Sequence, residues 1–438
     1  MKKNLLFCLL FLATFSSSAQ TELYFPPTQM DSSNWETIDP SELGWCQQQI
    51  DSLQQYLEHN NTRAFLLLKD GKIVLEQYYE NHTSFLSWPW NSTGKTLTAF
   101  MTGLAQQNGF LDLSDPTSTY LGPGWTVATR AEEEKITIRD QLAMTSGLDD
   151  SVPDDFCTLK TCLQYQTDAG SRWAHHQAPA LLLDKVIEDA RGWDFTIYYS
   201  IELILPIGAN GTGFSFDQYG NVTINGSARD LSRFGLLMLN EGNWDGNQLL
   251  RDSEFFKQMI TPSQDFNKSY GYHWWLNGQE SYQLPQSETI FPGNIFPDAP
   301  EDAFAAMGEG GQFLNIVPSQ NLVWIRMGSA PDDNPGMAQF NNDIWKRINA
   351  LDCNLVSVEE TEQHLKAISV FPNPTNDRIH LQSTKSLEGT FRLFNQLGQL
   401  VKKGQLQPII DVSELSSGIY YLSVSDGHAT NTWKVAKE

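Results

Sequence analysis

The strand-forming runs of this chain lie on either side of a long helical stretch, and that placement constrains the fold more than any other feature. Ala64 to Leu68, the turn pair Asp70-Gly71 and Ile73 to Leu75 read as a β-hairpin. Strand-like runs return at Ala303 to Met307, Phe313 to Val317 and Leu322 to Met327. Between about residues 85 and 295 the chain reads as mainly helical with many loops. A helix is predicted from about Glu42 to Glu58, and another closes the region near Ala350. One antiparallel sheet must therefore be assembled from both ends, flanked by helices, with a helical domain inserted between its strands. The class is α+β.

The chain changes character after residue 353. Residues 354–366 are polar and acidic and read as a linker. From 367 to 438, short strands recur at Arg378 to Leu381, Thr390 to Phe394, Gln399 to Lys402, Ile409 to Val412, Gly418 to Val424 and Thr430 to Val435. This pattern predicts a small all-β sandwich.

A net charge of −23 argues against nucleic acid and anionic membrane surfaces as partners. Lys2 and Lys3 precede an apolar run from Leu5 to Phe15 and then Ser16 to Ala19, the pattern of a secretory signal cleaved after Ala19. No later stretch is long and apolar enough to span a bilayer. Beyond Cys8 in that leader, the cysteines are Cys46, Cys157, Cys162 and Cys353. An even count in an exported chain suggests disulfides, with three pairings open. Cys157 and Cys162 are close enough to clip a loop. Cys46 shares a helical stripe with Ile50, Leu53 and Leu57, and Cys353 follows Phe340, Ile344, Ile348 and Leu351. We expect those helices to pack and Cys46 to pair with Cys353. There is no zinc-type cysteine spacing and no His-Glu-x-x-His, and the acyl transfer expected below requires no metal or organic cofactor.

Ser92-Thr-Gly-Lys95 carries the chemistry. A lysine one helical turn after a serine can take its proton, and a helix start favours negative charge developing there. The helix is expected to stop at Asn108-Gly109. Gly94-Lys95-Thr96 mimics the end of a phosphate-binding loop, but the glycine required five residues earlier is Pro89.

With these pieces in place, residues 40 to 350 resemble the serine β-lactamases and penicillin-binding-protein-like hydrolases. The resemblance rests on Ser92 to Lys95, on Lys135 to Leu148, on Gly226 to Leu237 with Ser227 as its N-cap, and on Ser269 to Trp275 as a tryptophan-rich strand. It implies a β-lactamase/transpeptidase-like domain over residues 20–353. Residues 367–438 resemble sorting domains of the type IX secretion system, through Phe371-Pro-Asn-Pro374, Leu393 to Gln399, Leu415 to Tyr421 and the terminal Lys434 and Lys437. That implies handling by the type IX machinery and a secreted or cell-surface destination.

Two motifs depart from the resembled family. Its Tyr-x-Asn is His175-His176-Gln177 here, and its Lys-Thr-Gly is Glu309-Gly310-Gly311, followed by Gln312. His175 can still move a proton near neutral pH. Gln177 keeps the amide and would orient Lys95 and the substrate. Glu309 reverses a charge that greets carboxylates, so esters, amides or cationic substrates stay open. The expected chemistry is an acyl-enzyme on Ser92, with Lys95 and His175 moving protons and the backbone N–H groups of Ser92 and Gln312 holding the oxyanion. The substrate would be a small ester or amide, or peptide-like. The alternative is an inactive scaffold serving as a surface binding protein. His176 and His273 read as hydrogen-bonded structural histidines, Trp274 and Trp275 as core, and residues 285–300 as a loop over the cleft.

Overall fold

The computed structural model describes residues 23–29, 34–353, 368–383, 389–396, 399–425 and 430–438. The expected signal at 1–19 and the linker at 354–366 lie outside the described residues. The chain divides into two compact units: Met1–Ile38 with Leu57–Asn342, and Asp39–Tyr56 with Asp343–Glu438.

The first unit is built on the sheet that the sequence demands. Its strands are β1 (Thr62–Lys69), β2 (Lys72–Tyr78), β3 (Trp275–Leu276), β4 (Phe304–Gly308), β5 (Gln312–Val317) and β6 (Leu322–Gly328), in the order β2-β1-β6-β5-β4-β3. Every pairing is antiparallel, and β1 meets β6 with Leu67 opposite Trp324. The two ends of the unit thus join at the centre of the sheet. Both central strands are almost wholly buried, which is why their sequences are continuous apolar runs rather than alternating ones.

Among its helices, α1 is Gln47–His59, α2 is Gly94–Gln107, α3 is Gln177–Arg191, α4 is Ala228–Leu239 and α5 is Met337–Asn349, the first and last of these crossing the unit boundaries. All residues from Gly94 to Ala105 are buried, as befits a helix covered on every side. α2 ends at Asn108, and Gly109 takes φ +74°, matching the expected stop signal. Ser227 caps α4 in a reciprocal capping box with Asp230.

Three local features differ from the sequence reading. The first helix begins at Gln47 rather than Glu42, because Pro40–Leu43 forms a separate 3-10 turn that Gly44 ends at φ +75°. The inserted region holds a small sheet of Trp88–Pro89, Val222–Gly226 and Gly213–Phe216. Ser269 to Trp274 is mostly turns, with the strand confined to Trp275–Leu276. His273 at φ +62° takes the backbone out of the extended region.

Both disulfides are formed, with Cα separations of 5.8 Å for Cys46–Cys353 and 5.8 Å for Cys157–Cys162. In the second unit, the Cys46 N–H donates to Leu351 O at 3.1 Å, and the Arg347 guanidinium lies 3.3 Å from the Tyr56 ring centroid. The two cysteine-bearing segments therefore pack as expected.

The C-terminal strands are β7 (Ser369–Phe371), β8 (Arg378–Gln382), β9 (Thr390–Asn395), β10 (Leu400–Gln405), β11 (Ile409–Asp411), β12 (Gly418–Ser425) and β13 (Thr430–Lys437). They form sheets β7-β8-β11 and β10-β9-β12-β13 around a core that includes Ile379, Leu393, Leu422 and Val435. Asn373 of the Phe-Pro-Asn-Pro motif clasps the last strand. Its Nδ2 donates to Lys434 O, and its Oδ1 accepts from the Ala436 N–H, both at 2.8 Å.

Candidate active site

Ser92 lies in the single turn Asn91–Thr93 that runs directly into α2. Asn91 occupies φ +50°, a conformation asparagine tolerates better than most residues. The buried Trp90 anchors this turn, its N–H donating to Ile224 O at 3.0 Å and its Nε1 to Gly226 O at 3.2 Å. The turn between β4 and β5 closes on it from the other side. A side chain at Gly308 would place Cβ 2.6 Å from Trp90 O, so the close approach requires glycine.

Two hydrogen bonds tie the two turns together, and the Gln312 side chain braces the second turn. Thr93 Oγ1 donates to Gln312 O at 2.7 Å, and Asn91 Nδ2 donates to Glu309 O at 2.9 Å. Gln312 Nε2 donates to Glu309 O at 2.9 Å and to Gly328 O at 2.7 Å, while its Oε1 accepts from the Gly328 N–H at 3.0 Å. Gly310 and Gly311 follow at φ +76° and +80°. A Cβ on Gly311 would lie 2.8 Å from Arg326 Nη1. The Glu309 backbone is thus pinned while its carboxylate stands exposed, paired with no cation among the described residues.

Lys95 is buried on the first turn of α2, and its Nζ donates to Ser92 Oγ at 2.7 Å. Burial pulls its pKa down to about 7, against the opposing pull of Asp155 and Asp184. Near neutral pH a substantial fraction is the free amine, able to take the serine proton. Asp184 is buried too and lines the same cavity. It accepts from Thr98 Oγ1 at 2.9 Å, and burial raises it to about 7.

His175 and Gln177 lie side by side at the start of α3, with Gln177 Nε2 3.1 Å from His175 Nδ1. Donation by the amide leaves the imidazole proton on Nε2. Gln177 thus turns its Nε2 to His175, while its buried Oε1 has no hydrogen-bond partner among the described residues. The His175 ring sits among Trp173, Tyr270 and Trp275, with centroids 6.1, 5.9 and 5.7 Å away. Burial and then the Lys95 charge lower its pKa to about 3, so it is neutral in the physiological range.

His176 and His273 are buried, as expected, but not hydrogen-bonded: among the described residues neither ring nitrogen of either has a partner. Burial holds the His273 pKa well below its ordinary value, with Lys95 and His175 adding to the effect. Trp274 and Trp275 are core residues.

Two cavities flank the nucleophile. One of about 120 Å³ is lined by Ser92, Lys95, Asp184, Asp217, Glu309 and apolar groups including Phe156 and Ile224. The other, of about 670 Å³, shares Asn91 and Glu309 with it and runs along Gly310 to Gln312. A third, of about 390 Å³, has His175, Arg172 and Asp150 in its wall, and Gln286 to Glu288 of the expected cleft loop border it.

Asp184 and Asp155 were missed by the sequence reading. Asp184 follows Gln177 by seven residues, two helical turns, and so shares its face; that spacing was the available signal. Asp155 is brought in beside the Cys157–Cys162 clip, and no spacing reveals it.

If free Lys95 is the base, the rate of Ser92 modification should fall about tenfold per pH unit below about pH 7 and level off above it. Asp184 favours the protonated lysine, so Asp184→Asn should move the acid limb to lower pH by about one unit. An unmoved limb, or one displaced upward, would remove Asp184 from this role. The measurement is the labelling rate with an uncharged fluorophosphonate from pH 5 to 9.

Residues 52–341 match the family model described as Beta-lactamase, and residues 369–438 match that described as Secretion system C-terminal sorting domain. The second match assigns the chain to type IX export, to the cell surface or beyond it. Among the described residues no helix is long and apolar enough to cross a membrane. Three solved structures share the fold. One is a Bacteroides dorei protein provisionally assigned as a β-lactamase, at TM-score 0.56 and 16% identity, covering 70% of this chain and 99% of that one. Another is a Bacillus anthracis protein provisionally assigned as a 6-aminohexanoate-dimer hydrolase, at 0.54 and 19%, covering 68% and 82%. The third is the octameric penicillin-binding protein homologue from Pyrococcus abyssi, at 0.51 and 15%, covering 88% and 90%.

Proposed function

The chain belongs to the β-lactamase family, and from that premise we propose that it is an exported serine hydrolase that forms an acyl-enzyme on Ser92 and hydrolyses a small ester or amide. The observation that carries this reading is the 2.7 Å bond between Ser92 Oγ and a lysine whose pKa lies near 7.

Lys95 takes the Ser92 proton as the oxygen attacks the carbonyl. The backbone N–H groups of Ser92 and Gln312 hold the oxyanion, worth about 3 kcal/mol per donor in comparable sites. The Thr93-to-Gln312 bond supports this role by setting the start of β5 against the serine turn. The proton reaches the leaving group from Lys95, with the His175 Nε2–H as the neighbouring donor. Water then attacks the ester on Ser92, and Lys95 acts again as base. Glu309 and Gly311 shape the substrate side, and Gln177 orients His175.

The low His175 pKa favours a second reading, a surface binding protein on a non-catalytic scaffold. An imidazole at about 3 is a weak base at neutral pH. Intact mass after incubation with an uncharged fluorophosphonate separates the two. The hydrolase should gain one adduct that the folded Ser92→Ala protein lacks. A wild-type protein left unlabelled, while an active relative labels in parallel, would sink the hydrolase reading.

A further inference from the structure

The cavity at Ser92 is walled by carboxylates. Asp184, Asp217 and Glu309 line it, and among the described residues Lys95 is its only cationic lining residue. That lysine is already bonded to the nucleophile. The adjoining cavity along Gly310 to Gln312 has no lysine or arginine among the described residues of its wall. Anionic groups entering from either side therefore meet negative charge with no free partner.

The carboxylates differ in how far they are spent. Asp217 accepts from the Tyr219 and Asn221 N–H groups and from Asn221 Nδ2, at 2.8 to 2.9 Å, and so serves its own turn. Asp184, at 7% exposure, receives one hydrogen bond, from Thr98. Glu309 stands at the mouth shared by both cavities, its main chain fixed by Asn91 and Gln312 and its carboxylate without a cation among the described residues. Those bonds fix where its side chain leaves the backbone, and the exposed side chain can turn from there toward either cavity. Phe156, Leu181, Val222 and Ile224 supply an apolar wall beside it.

We propose that the substrate is a cationic ester or amide, with an ammonium or guanidinium group a few bonds from the scissile carbonyl, held by Glu309 at the mouth of the Ser92 cavity. The inference rests on that cavity being the substrate site of the hydrolase proposed above. Glu309 acts as a specificity residue: it attracts the cation and repels carboxylates. Because it is exposed, its contribution is screened by salt.

Binding to the full-length Ser92→Ala protein tests this without turnover. The probes are acetylcholine, its uncharged carbon isostere 3,3-dimethylbutyl acetate, and anionic monomethyl succinate, titrated by calorimetry at low ionic strength. Acetylcholine should bind about fivefold more tightly than the neutral isostere, and monomethyl succinate most weakly. In Ser92→Ala/Glu309→Gln the gap should close to about twofold, and added salt should narrow it in the parent. Equal affinities, an anionic preference, or a gap untouched by Glu309→Gln would overturn the proposal. Fluorophosphonate labelling of the wild type reports separately on the hydrolase reading. Labelling without cation preference defeats only this inference, and cation preference without labelling upholds the site while defeating hydrolysis.

Discussion

Lys95→Met should slow modification of Ser92 by about a thousandfold at pH 8, while the protein keeps its fold. The effect is large because Lys95 Nζ is the group that the Ser92 hydroxyl contacts, at 2.7 Å. His175, at about 3, cannot replace it as base. Methionine is close to lysine in shape, so α2 keeps its packing, and the cost of burying the ammonium disappears. The variant should therefore melt at or above the wild-type temperature, which separates lost chemistry from lost structure. Its remaining labelling should also lose the inflection near pH 7. Labelling within tenfold of wild type, or an unchanged pH profile, would show that another group activates Ser92.

The same residues explain which parts of the molecule were legible in its sequence. β1 and β6 announce themselves as continuous apolar runs because both faces of the sheet are covered, and local composition records that directly. Ser92 and Lys95 are three apart on one helical turn, so their meeting is a local fact. In the C-terminal unit β8, β9 and β12 were readable to about one residue, whereas β10 runs three residues beyond its expected end and the short β7 was not read as a strand.

Features that depend on distant segments were not legible. Pairing of Trp88–Pro89 with Asn225–Gly226 joins pieces more than a hundred residues apart, and neither piece has strand character alone. The Glu309 carbonyl is fixed by Asn91, which no pattern near Glu309 reveals. His175 reads from sequence as a proton acceptor near neutral pH. Its burial among three aromatic rings and beside Lys95 makes it a poor one, and burial is a property of the assembled fold.

The second large effect concerns Arg326, a residue outside both altered motifs. It is fully buried on β6 and faces no carboxylate in the hydrogen bonds it makes to Gly310 O at 2.6 Å, Gly311 O at 3.0 Å, Asn60 O at 2.7 Å and Ser329 O at 2.7 Å. Its Nε donates to Thr62 Oγ1 at 3.1 Å, and its guanidinium lies 5.0 Å from the Phe340 ring centroid. The fork thus holds the glycine pair behind the Ser92 site while satisfying one buried carbonyl, Gly311 O, and three partly buried ones. Arg326→Met would strand several of them at once, and we expect a loss of about 4 kcal/mol, equivalent to roughly 8 °C in melting temperature. Arg326→Lys should recover little, because an ammonium is a point donor and cannot span the Gly310–Gly311 and Asn60–Ser329 carbonyls together. Both variants should also slow Ser92 labelling at a temperature where each remains folded, since Gln312 directly follows the pair that Arg326 holds. A melting shift below 2 °C would show that these carbonyls find other donors. Unchanged labelling in a folded variant would show that the fork supports the sheet alone and leaves the oxyanion side of the site intact.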